Sequence, residues 1–542
     1  MLLDMRDDHL KIVQGILKKY VPAREVWAFG SRAKWLAKEY SDLDLCILGE
    51  APLSFKTLGL MEEAFDESDL PYKVDVVDWA TTSELFRRII EKDKVVVQSP
   101  EKGARGNWGT EWSLVPIGEV AQLFDGPHAT PKKTLEGPVF LGISSLKRGQ
   151  LDLSSTEHLS DEDYAKWTRR VVPSSDDVVF SYETRIGDVA IIPEGLKCCL
   201  GRRMALLRPD QTRLLPKYLL YYFLSDEFQD FLRTRTIHGS TVERLPLTDF
   251  PSYPVRIPPI QVQRSISETL QSLDDRITLL RETNTTLEAI AQALFKSWFV
   301  DFDPVRAKME GRAPEGMDEA TAALFPDSFE ETELGVVPRG WRALPLAEAM
   351  EINPTRKLKK GELAPYLDMA SVGTQGHVAD ATVPREMGSG SKFVNGDTLL
   401  ARITPCLENG KTAFVDFLPE RKTGWGSTEF VVLRPRTPLP DYFAYLLCRH
   451  GAFREFAIQS MSGTSGRQRI QNDVLGRYPV AVPTIEIAEI FGETVSALQQ
   501  RIAANHASSQ TLASLRDTLL PRLISGQIRL PETQSTLKGT AT

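Results

Sequence analysis

Two long stretches of the chain carry apolar residues at spacings of three and four, the pattern of an amphipathic helix. This spacing runs through residues 266–298 and again through residues 490–523. Gly526 follows the second stretch and ends it. Each apolar stripe is narrow and must be buried against another helix. We therefore predict two spacer helices, over 261–300 and 485–530, that pair as an antiparallel coiled coil.

The alternative is that each helix is buried within its own domain. We favour the pair because neither stripe widens as the buried face of a core helix would. One position of the first stripe is polar, Asn284.

The segments before the two helices are divergent copies of one domain. Residues 238–259 align with residues 462–483 at a constant offset of 224. Upstream of both, an apolar strand, a Leu-Arg-Pro turn and an amphipathic helix recur in the same order. A long internal repeat indicates duplicated structural units. The sequence therefore predicts two copies of one α+β domain, over 108–260 and 341–484.

The first 98 residues have a different pattern, in which helices alternate with short apolar strands. Strands are predicted at 25–29, 42–48 and 73–78, with a Gly-Ser turn and a short helix after the first and a further helix after the last. Such alternation is typical of a small αβ domain. A linker at 99–107 separates it from the first repeat, so the whole chain is expected to be an α+β multidomain protein.

Charge is distributed unevenly along the chain. The net charge is −8, yet residues 341–484 carry 18 basic and 14 acidic side chains, whereas residues 259–340 carry 8 and 15. The acidic, Pro- and Gly-rich stretch 301–340 is interpreted as a connector, and 531–542 as a tail. This balance excludes a generally basic coat but permits a local DNA-binding face.

Cysteine usage and hydropathy exclude two further classes of protein. The five cysteines lack the paired C-x-x-C spacing of a zinc site and do not form a disulfide framework. No apolar run reaches the ~20 residues that a membrane span requires, and the first residues are too charged for a secretory signal. We therefore expect a cytoplasmic protein with no membrane partner.

Two divergent recognition domains, each followed by a long helix, resemble the type I restriction–modification specificity subunit over residues 108–530. The ordered strings ALFKSWFVDFDPVRAKMEG and LRDTLLPRLISGQI are especially similar to that family. The resemblance implies that each domain binds one half of a bipartite, asymmetric site in double-stranded DNA. It also implies two modification (methyltransferase) subunits that use S-adenosylmethionine, and restriction (motor–nuclease) subunits that use ATP and Mg²⁺.

The chain has no sequence signature of the partner chemistry. It lacks an N-P-P-Y or D-P-P-F string for an adenine methyltransferase and a Walker A motif for a motor. The specificity portion is therefore expected to bind no cofactor of its own and to recruit its catalytic partners.

DNA contact requires basic and small polar side chains on exposed loops. Glycine-rich polar loops with adjacent basic residues occupy matching points of the two repeats, and a further basic run opens the second repeat. Solvated surface charge is the alternative for each of them. The predicted DNA-binding residues are Arg233, Arg235, His238, Gly239, Ser240 and Thr241 in the first domain, and Arg356, Lys357, Lys359, Lys360, Gly463, Thr464, Ser465, Arg467 and Arg469 in the second.

The N-terminal domain contains a Gly-Ser-Arg turn followed by Ser-Asp-Leu-Asp and is similar to the minimal nucleotidyltransferases of the DNA polymerase β superfamily. Asp42 and Asp44 are two residues apart on one strand and so face the same side. Together with Asp75 they are the predicted catalytic carboxylates, which would bind Mg²⁺.

The turn itself is the predicted nucleotide-binding element. Backbone N–H groups at a helix N-terminus can bind the phosphates of a nucleoside triphosphate. We assign this role to Gly30, Ser31 and Arg32. Family members often have a glycine shortly afterwards, where this chain has Lys34-Trp35, which leaves activity open.

Two other functions are compatible with the sequence. In one, the chain is a nucleotidyltransferase that modifies a partner and uses the repeats for targeting. In the other, it is a scaffold whose repeats bind only protein. Sequence-dependent DNA affinity would distinguish a specificity subunit from both.

Overall fold

A computed structural model describes residues 3–22, 24–35, 37, 41–49, 53, 55–82, 87, 90–92, 94–98, 112–154, 156–237, 242–379, 382–464, 466–528 and 530. The chain forms two compact units, one of residues 1–267 with 521–542 and one of residues 268–520. Within the described part, no helix is long and apolar enough to span a membrane.

The N-terminal domain is a four-stranded sheet in the order β3-β2-β1-β4. Only the β2–β3 pair is parallel. Val13 and Leu17 lie one turn apart on the first helix and are fully buried in the domain core. The last strand was not predicted. The elements are α1 Asp7–Tyr20, β1 Val26–Phe29, α2 Gly30–Ala33, β2 Leu43–Ile47, α3 Phe55–Asp66, β3 Val74–Asp78, a 3₁₀ turn Trp79–Thr81 and β4 Val95–Gln98.

The first recognition domain contains a four-stranded sheet, β12-β11-β14-β6, and a three-stranded sheet, β10-β7-β13. Short 3₁₀ turns occupy Ile117–Glu119, Ile143–Ser145 and Phe250–Ser252. The elements are β5 Ser113–Pro116, β6 Ala121–Asp125, β7 Lys133–Leu141, β8 Leu146–Lys147, β9 Gln150–Leu151, β10 Glu157–Leu159, α4 Asp161–Trp167, β11 Val178–Ser181, β12 Val189–Ile191, β13 Cys198–Leu200, β14 Met204–Pro209, α5 Pro216–Leu224, α6 Asp226–Arg235 and β15 Pro254–Ile257.

The region between the two recognition domains is folded throughout. A 40-residue helix, α7 Ile260–Phe299, is followed by α8 Asp303–Met309, α9 Glu319–Leu324 and the hairpin β16 Phe329–Thr332 with β17 Gly335–Pro338. Residues 301–340, which the sequence predicts to be a connector, therefore form helices and a hairpin and are not an extended linker. Their apolar side chains Val305, Phe325 and Val337 are buried in the core of the second unit, and this burial outweighs the Pro- and Gly-rich composition.

The second recognition domain repeats the two main sheets of the first, with β22 added to one of them and, among the residues described, without a counterpart of the β8–β9 pair. Its sheets have the orders β24-β23-β26-β19 and β21-β20-β25-β22. The elements are β18 Arg342–Pro345, α10 Leu346–Ala349, β19 Met350–Ile352, β20 Leu363–Leu367, β21 Val383–Glu386, β22 Ser391–Phe393, β23 Thr398–Ala401, β24 Thr412–Phe414, β25 Gly424–Gly426, β26 Phe430–Pro435, α11 Phe443–Arg449, α12 Gly451–Gln459, α13 Asn472–Leu475, β27 Pro479–Val482 and the second long helix, α14 Ile485–Ile524.

The predicted α+β repeat is confirmed by the matching sheets of the two domains. Strands β7 and β13 of the first domain run parallel, as do β20 and β25 of the second. The closing strand pairs also match, since Pro116 faces Pro254 in one domain and Pro345 faces Pro479 in the other. Pro254 therefore corresponds to Pro479 in the structure, an offset of 225 residues. The sequence alignment of the same segment gave 224, which differs by one residue.

The two long helices pair within residues 268–520. Asn284 donates to the Ile502 carbonyl over 3.1 Å and accepts a 2.9 Å hydrogen bond from Asn505. Arg516 Nη1 lies 2.6 Å from Asp274 Oδ1. Lower residue numbers on α7 meet higher ones on α14, so the pair is antiparallel as expected. Supercoiling of the pair stays a prediction.

Candidate nucleic-acid interface and nucleotide site

The predicted carboxylates of the N-terminal domain lie at neighbouring positions of its sheet. Asp44 on β2 is in register with Asp75 on β3 and with Phe29 on β1. Gly30 follows Phe29 with φ +77°, and a Cβ there would lie 2.2 Å from Asp44 Oδ2. Only glycine therefore lets the Gly-Ser turn approach this carboxylate so closely.

These carboxylates influence one another. Burial raises the pKa of Asp44, and the charges of Asp75 and Asp42 raise it further. Lys73 Nζ lies 2.5 Å from Asp75 Oδ1, and this hydrogen bond raises the pKa of the lysine. Oxygen ligands are those that Mg²⁺ prefers. Among the residues described, however, no three His, Cys, Asp or Glu side chains are arranged to hold a metal ion, so the Mg²⁺ site stays a prediction.

The surroundings of Arg32 show that its side chain is structural, so its expected nucleotide contact stays a prediction for its backbone N–H alone. The side chain is buried, with Nε donating to the Ser41 carbonyl over 2.8 Å and Nη1 to the Asp4 carbonyl over 3.0 Å. Its guanidinium lies 3.7 Å from the centre of the Tyr72 ring. Arg32 thus fixes the turn from the interior of the domain, and the backbone of Gly30, Ser31 and Arg32 is left as the candidate phosphate contact.

In the second recognition domain, the predicted glycine-rich loop is a closed turn. Ser462 and Arg469 exchange backbone hydrogen bonds of 3.0 and 2.9 Å across its ends. Gly463 has φ +131°, a backbone conformation that favours glycine. Gly463, Thr464 and Arg467 are exposed on this loop. The geometry therefore leaves Arg467 free to approach a groove or a phosphate.

Arg469 has a structural role that the sequence did not reveal. Its Nη2 lies 2.7 Å from Glu429 Oε1, and its Nε donates to Glu429 Oε2 over 2.9 Å. Arg402 Nε is a second donor to Oε2, at 3.3 Å. The hydrogen bonds from Arg469 and then Arg402 lower the pKa of Glu429. Arg469 therefore holds the stem of the loop, and because its side chain is still 37% exposed, its DNA contact stays a prediction.

Arg356 is likewise held by an ion pair, and its DNA contact stays a prediction. It pairs with the fully buried Asp397, at 2.7 Å from Nη2 to Oδ1 and 3.2 Å from Nε to Oδ2. A buried carboxylate requires such a partner. The neighbouring Lys357, Lys359 and Lys360 are exposed and stay predicted phosphate contacts.

In the first recognition domain, Arg233 and Arg235 are exposed on the last turn of α6. Arg233 pairs with Asp230, and the Arg235 guanidinium lies 5.2 Å from the Phe231 ring centre. The loop that follows is flanked by backbone hydrogen bonds between Ile237 and Arg244. The predicted contacts His238, Gly239, Ser240 and Thr241, and Ser465 of the second domain, lie outside the described residues.

The stem of this loop also carries residues that the sequence did not single out. Arg203 Nε lies 3.0 Å from Glu183 Oε2, and Glu183 forms a β-bridge with Arg244. The partners come from different strands, so no local motif could have identified them.

Comparison with known proteins gives two families for two parts of the chain. Residues 109–289 match the family model of the type I restriction modification DNA specificity domain, and residues 11–102 match that of polymerase beta nucleotidyltransferases. The N-terminal part is similar to the probable protein adenylyltransferase MntA of Haemophilus influenzae, with 57% identity over 100 residues, 18% of this chain and 88% of the relative.

The remainder is similar to specificity subunits. The type I restriction enzyme HindI specificity subunit of Haemophilus influenzae is 24% identical over 375 residues, covering 61% of this chain and 81% of the relative. A crystal structure of the S subunit of a type I restriction–modification system from M. genitalium matches 76% of this chain and 96% of that chain, with 16% identity and a TM-score of 0.45.

Proposed function

Since the chain belongs to the type I restriction–modification specificity subunits and carries an N-terminal domain of the polymerase β nucleotidyltransferase family, we propose that it reads a bipartite, asymmetric DNA site. The observation that carries this proposal is the repetition of one strand order in two recognition domains. Each domain would bind one half of the site. The exposed Arg467 loop and the Lys357–Lys360 run are the contacts that we assign to the second half.

The antiparallel helices would set the gap between the two half-sites. Inserting four residues after Asn284 extends one helix by about 6 Å, since an α-helix rises ~1.5 Å per residue. This is close to two base pairs of DNA at roughly 3.4 Å each. The methylated motif should therefore keep both halves and gain about two positions between them.

Sequencing of methylated adenines in the host genome measures the motif directly. A matched control places the same four residues after Leu334, in the exposed turn between β16 and β17. An active insertion variant that keeps the original gap would refute the role of the helices as a spacer.

Catalysis would come from partner proteins in the cytoplasm. We propose two modification subunits that transfer methyl groups from S-adenosylmethionine to adenine, and restriction subunits that cleave with ATP and Mg²⁺. The relatives named as specificity subunits of restriction enzymes support this proposal. Copurification of the tagged chain with its modification subunit, followed by a methylation assay with and without the chain, tests it. Equal methylation in both would contradict it.

For the N-terminal domain we propose transfer of an adenylyl group from ATP to a protein acceptor, with release of pyrophosphate. The 57% identity to a probable protein adenylyltransferase supports this activity. Asp42, Asp44 and Asp75 would hold Mg²⁺, which neutralises charge on the triphosphate. The Gly30 and Ser31 backbone would bind phosphate. Replacing both Asp42 and Asp44 with Ala should abolish transfer and leave the methylated motif unchanged.

Labelled ATP incubated with the purified chain, its partner subunits and host lysate measures this transfer. The exposed helix α3 supplies the matched control, Glu62→Ala with Glu63→Ala. The pKa of Asp44 is raised, so this carboxyl should become protonated at a pH above the usual aspartate range. Labelling should therefore already fall at that pH. Equal labelling of wild type and the Asp42 and Asp44 double variant would contradict the proposed site.

A further inference from the structure

Helices α7 and α14 both reach the interior of the second recognition domain through polar side chains. These contacts converge on one cluster, whose members come from positions that no motif joins. The members, which we call the anchor cluster, are Glu288, His377, Asp416, Tyr445, Arg449 and Gln499.

Helix α7 reaches the domain through Glu288. The Tyr445 hydroxyl donates to Glu288 Oε1, and Arg449 Nε lies 3.8 Å from the same oxygen. Tyr445 is fully buried, and the side chains of Glu288 and Arg449 are only 13% and 15% exposed. Burial, and then the charge of Glu288, raise the pKa of Tyr445 well above its usual range, so its hydroxyl stays protonated as a donor. Arg449 Nη1 also donates to the carbonyls of Thr374 and Gly410 over 2.9 and 2.8 Å. Glu288 is therefore linked, directly or through Arg449, to three segments of the domain.

Helix α14 reaches the domain through Gln499. Its Nε2 donates to Asp416 Oδ2 over 2.6 Å, and His377 Nε2 lies 3.1 Å from the same oxygen. The other ring nitrogen of His377, Nδ1, lies 3.0 Å from the Tyr442 hydroxyl. His377 is fully buried, and its ring centre lies 5.8 Å from that of Tyr445. The contacts of the two helices therefore meet inside the domain.

The domain also rests on the helices through apolar side chains. Phe443 of the domain packs against Phe295 of α7 and Phe491 of α14, with ring centroids 5.1 and 6.4 Å apart. A cavity of about 750 Å³, lined in part by Glu288 and Arg449, lies beside the anchor cluster, so apolar packing does not fill this side. Hydrophobic attraction is non-directional, whereas hydrogen bonds have a preferred geometry. The anchor cluster is therefore what resists rotation of the domain on its apolar contacts.

Helix α7 holds the first recognition domain by a neutral amide. Gln263, fully buried near the start of α7, donates to the carbonyls of Arg213 and Pro258 over 2.8 Å each. Its Oε1 accepts from the Leu215 N–H over 2.9 Å. A change in the anchor cluster should therefore leave the first domain unaffected.

We infer that Glu288 and Gln499 are positioning residues, which fix the orientation of the second recognition domain and thereby restrict the gap that the complex accepts. One added base pair moves the second half-site by about 3.4 Å and turns it by roughly 35° around the DNA axis, since ~10 base pairs make one turn. A domain held in one orientation matches one gap, whereas a domain that can rotate on its apolar contacts matches several. This inference rests on the proposed reading of a bipartite DNA site.

The test measures methylation by the full chain assembled with its modification subunits, on DNA that carries both wild-type half-sites. The gap between them is shortened or lengthened by one or two base pairs. Glu288→Ala and Gln499→Ala should each lower the preference for the wild-type gap over its neighbours by roughly ten-fold, the effect of losing one hydrogen bond to a charged group. Glu288→Gln keeps an acceptor for Tyr445 and should retain most of the preference. The matched controls, Glu282→Ala on α7 and Gln500→Ala on α14, change exposed side chains and should behave as wild type.

The outcomes separate this inference from the proposal beneath it. A wild-type complex that methylates every gap equally would overturn the proposed spacer function itself. A gap-selective wild type whose preference persists in Glu288→Ala and Gln499→Ala would overturn only the role of the anchor cluster. A changed base preference in either half-site would also overturn that role, because a positioning residue alters the accepted gap and leaves base reading intact.

Glu288→Ala could lower methylation at every gap because the domain unfolds, which a lower melting temperature would reveal. Tyr445→Phe is then the deciding variant, since it removes only the hydroxyl that donates to Glu288. It should broaden the range of accepted gaps at an unchanged melting temperature. An unchanged gap preference in a folded Tyr445→Phe complex would overturn the inference.

Discussion

The two recognition domains share their strand order but reverse an ion pair at the stem of the candidate DNA loop. In the first domain the acid Glu183 follows β11 and its partner Arg203 precedes β14. In the second, Arg402 follows β23 and its partner Glu429 precedes β26. The fold therefore requires complementary charges on these two strands without fixing which strand carries the acid.

The interior of the two domains shows no such reversal. Asp177 precedes β11 and pairs with Arg208 on β14, with 2.7 Å between Nη2 and Oδ2. Asp397 precedes β23, and Arg434 on β26 lies 3.5 Å from it. Both carboxylates are buried. Divergence between the copies is thus tolerated at the half-buried stem, whereas the buried pair keeps its chemistry, since an unpaired buried charge is costly.

The largest effect is expected from exchanging residues 341–484 for the corresponding domain of another specificity subunit. If the domains read DNA independently, one half of the methylated motif should be replaced completely and the other retained. Sequencing of methylated adenines measures both halves. A change in both halves would mean that the domains do not act as separate readers.

The next largest effect is expected when the buried carboxylate of the interior ion pair is removed from either domain. Asp177→Ala and Asp397→Ala should each lower the free energy of unfolding of its domain by about 1–3 kcal/mol, because the partly exposed arginines lose hydrogen bonds to a charged, buried acceptor. The loss should be larger at Asp397, which also binds Arg356. Urea unfolding followed by hydrogen exchange of each domain measures it.

Glu408→Ala, which removes an exposed carboxylate of the second domain, should have little effect. Equal stability of wild type and Asp397→Ala would show that this interior pair is dispensable.

The smallest effect is expected at the loop of the second domain. Arg467→Ala should weaken DNA binding and reduce the slope of log affinity against log salt by about one, as expected for one lost phosphate contact. Arg469→Ala should instead loosen the stem, because Glu429 loses its main partner. Filter binding across salt and hydrogen exchange of residues 462–469 distinguish the two. If Arg467→Ala keeps both affinity and slope, the loop does not touch DNA.

The large features could be predicted from the sequence because their signals are periodic and repeated. The stripe around Asn284 predicted a helix that needs a helical partner, and Asn505 supplies a contact from that partner. The duplicated segments predicted one α+β domain twice. The carboxylates of the N-terminal domain stay a prediction, made because strand periodicity and a short motif place Asp42 and Asp44 on one face.

Tertiary structure alone decided which arginines are exposed and which are held. Arg467 and Arg469 belong to the same short basic run, yet only Arg469 reaches Glu429, which lies 40 residues earlier, just before β26. Arg356 and Lys357 are adjacent, yet only Arg356 reaches the buried Asp397. Local sequence records the type of side chain and its periodicity. The partner that neutralises a charge comes from a distant segment, and folding brings that segment near by pairing strands and burying the carboxylate.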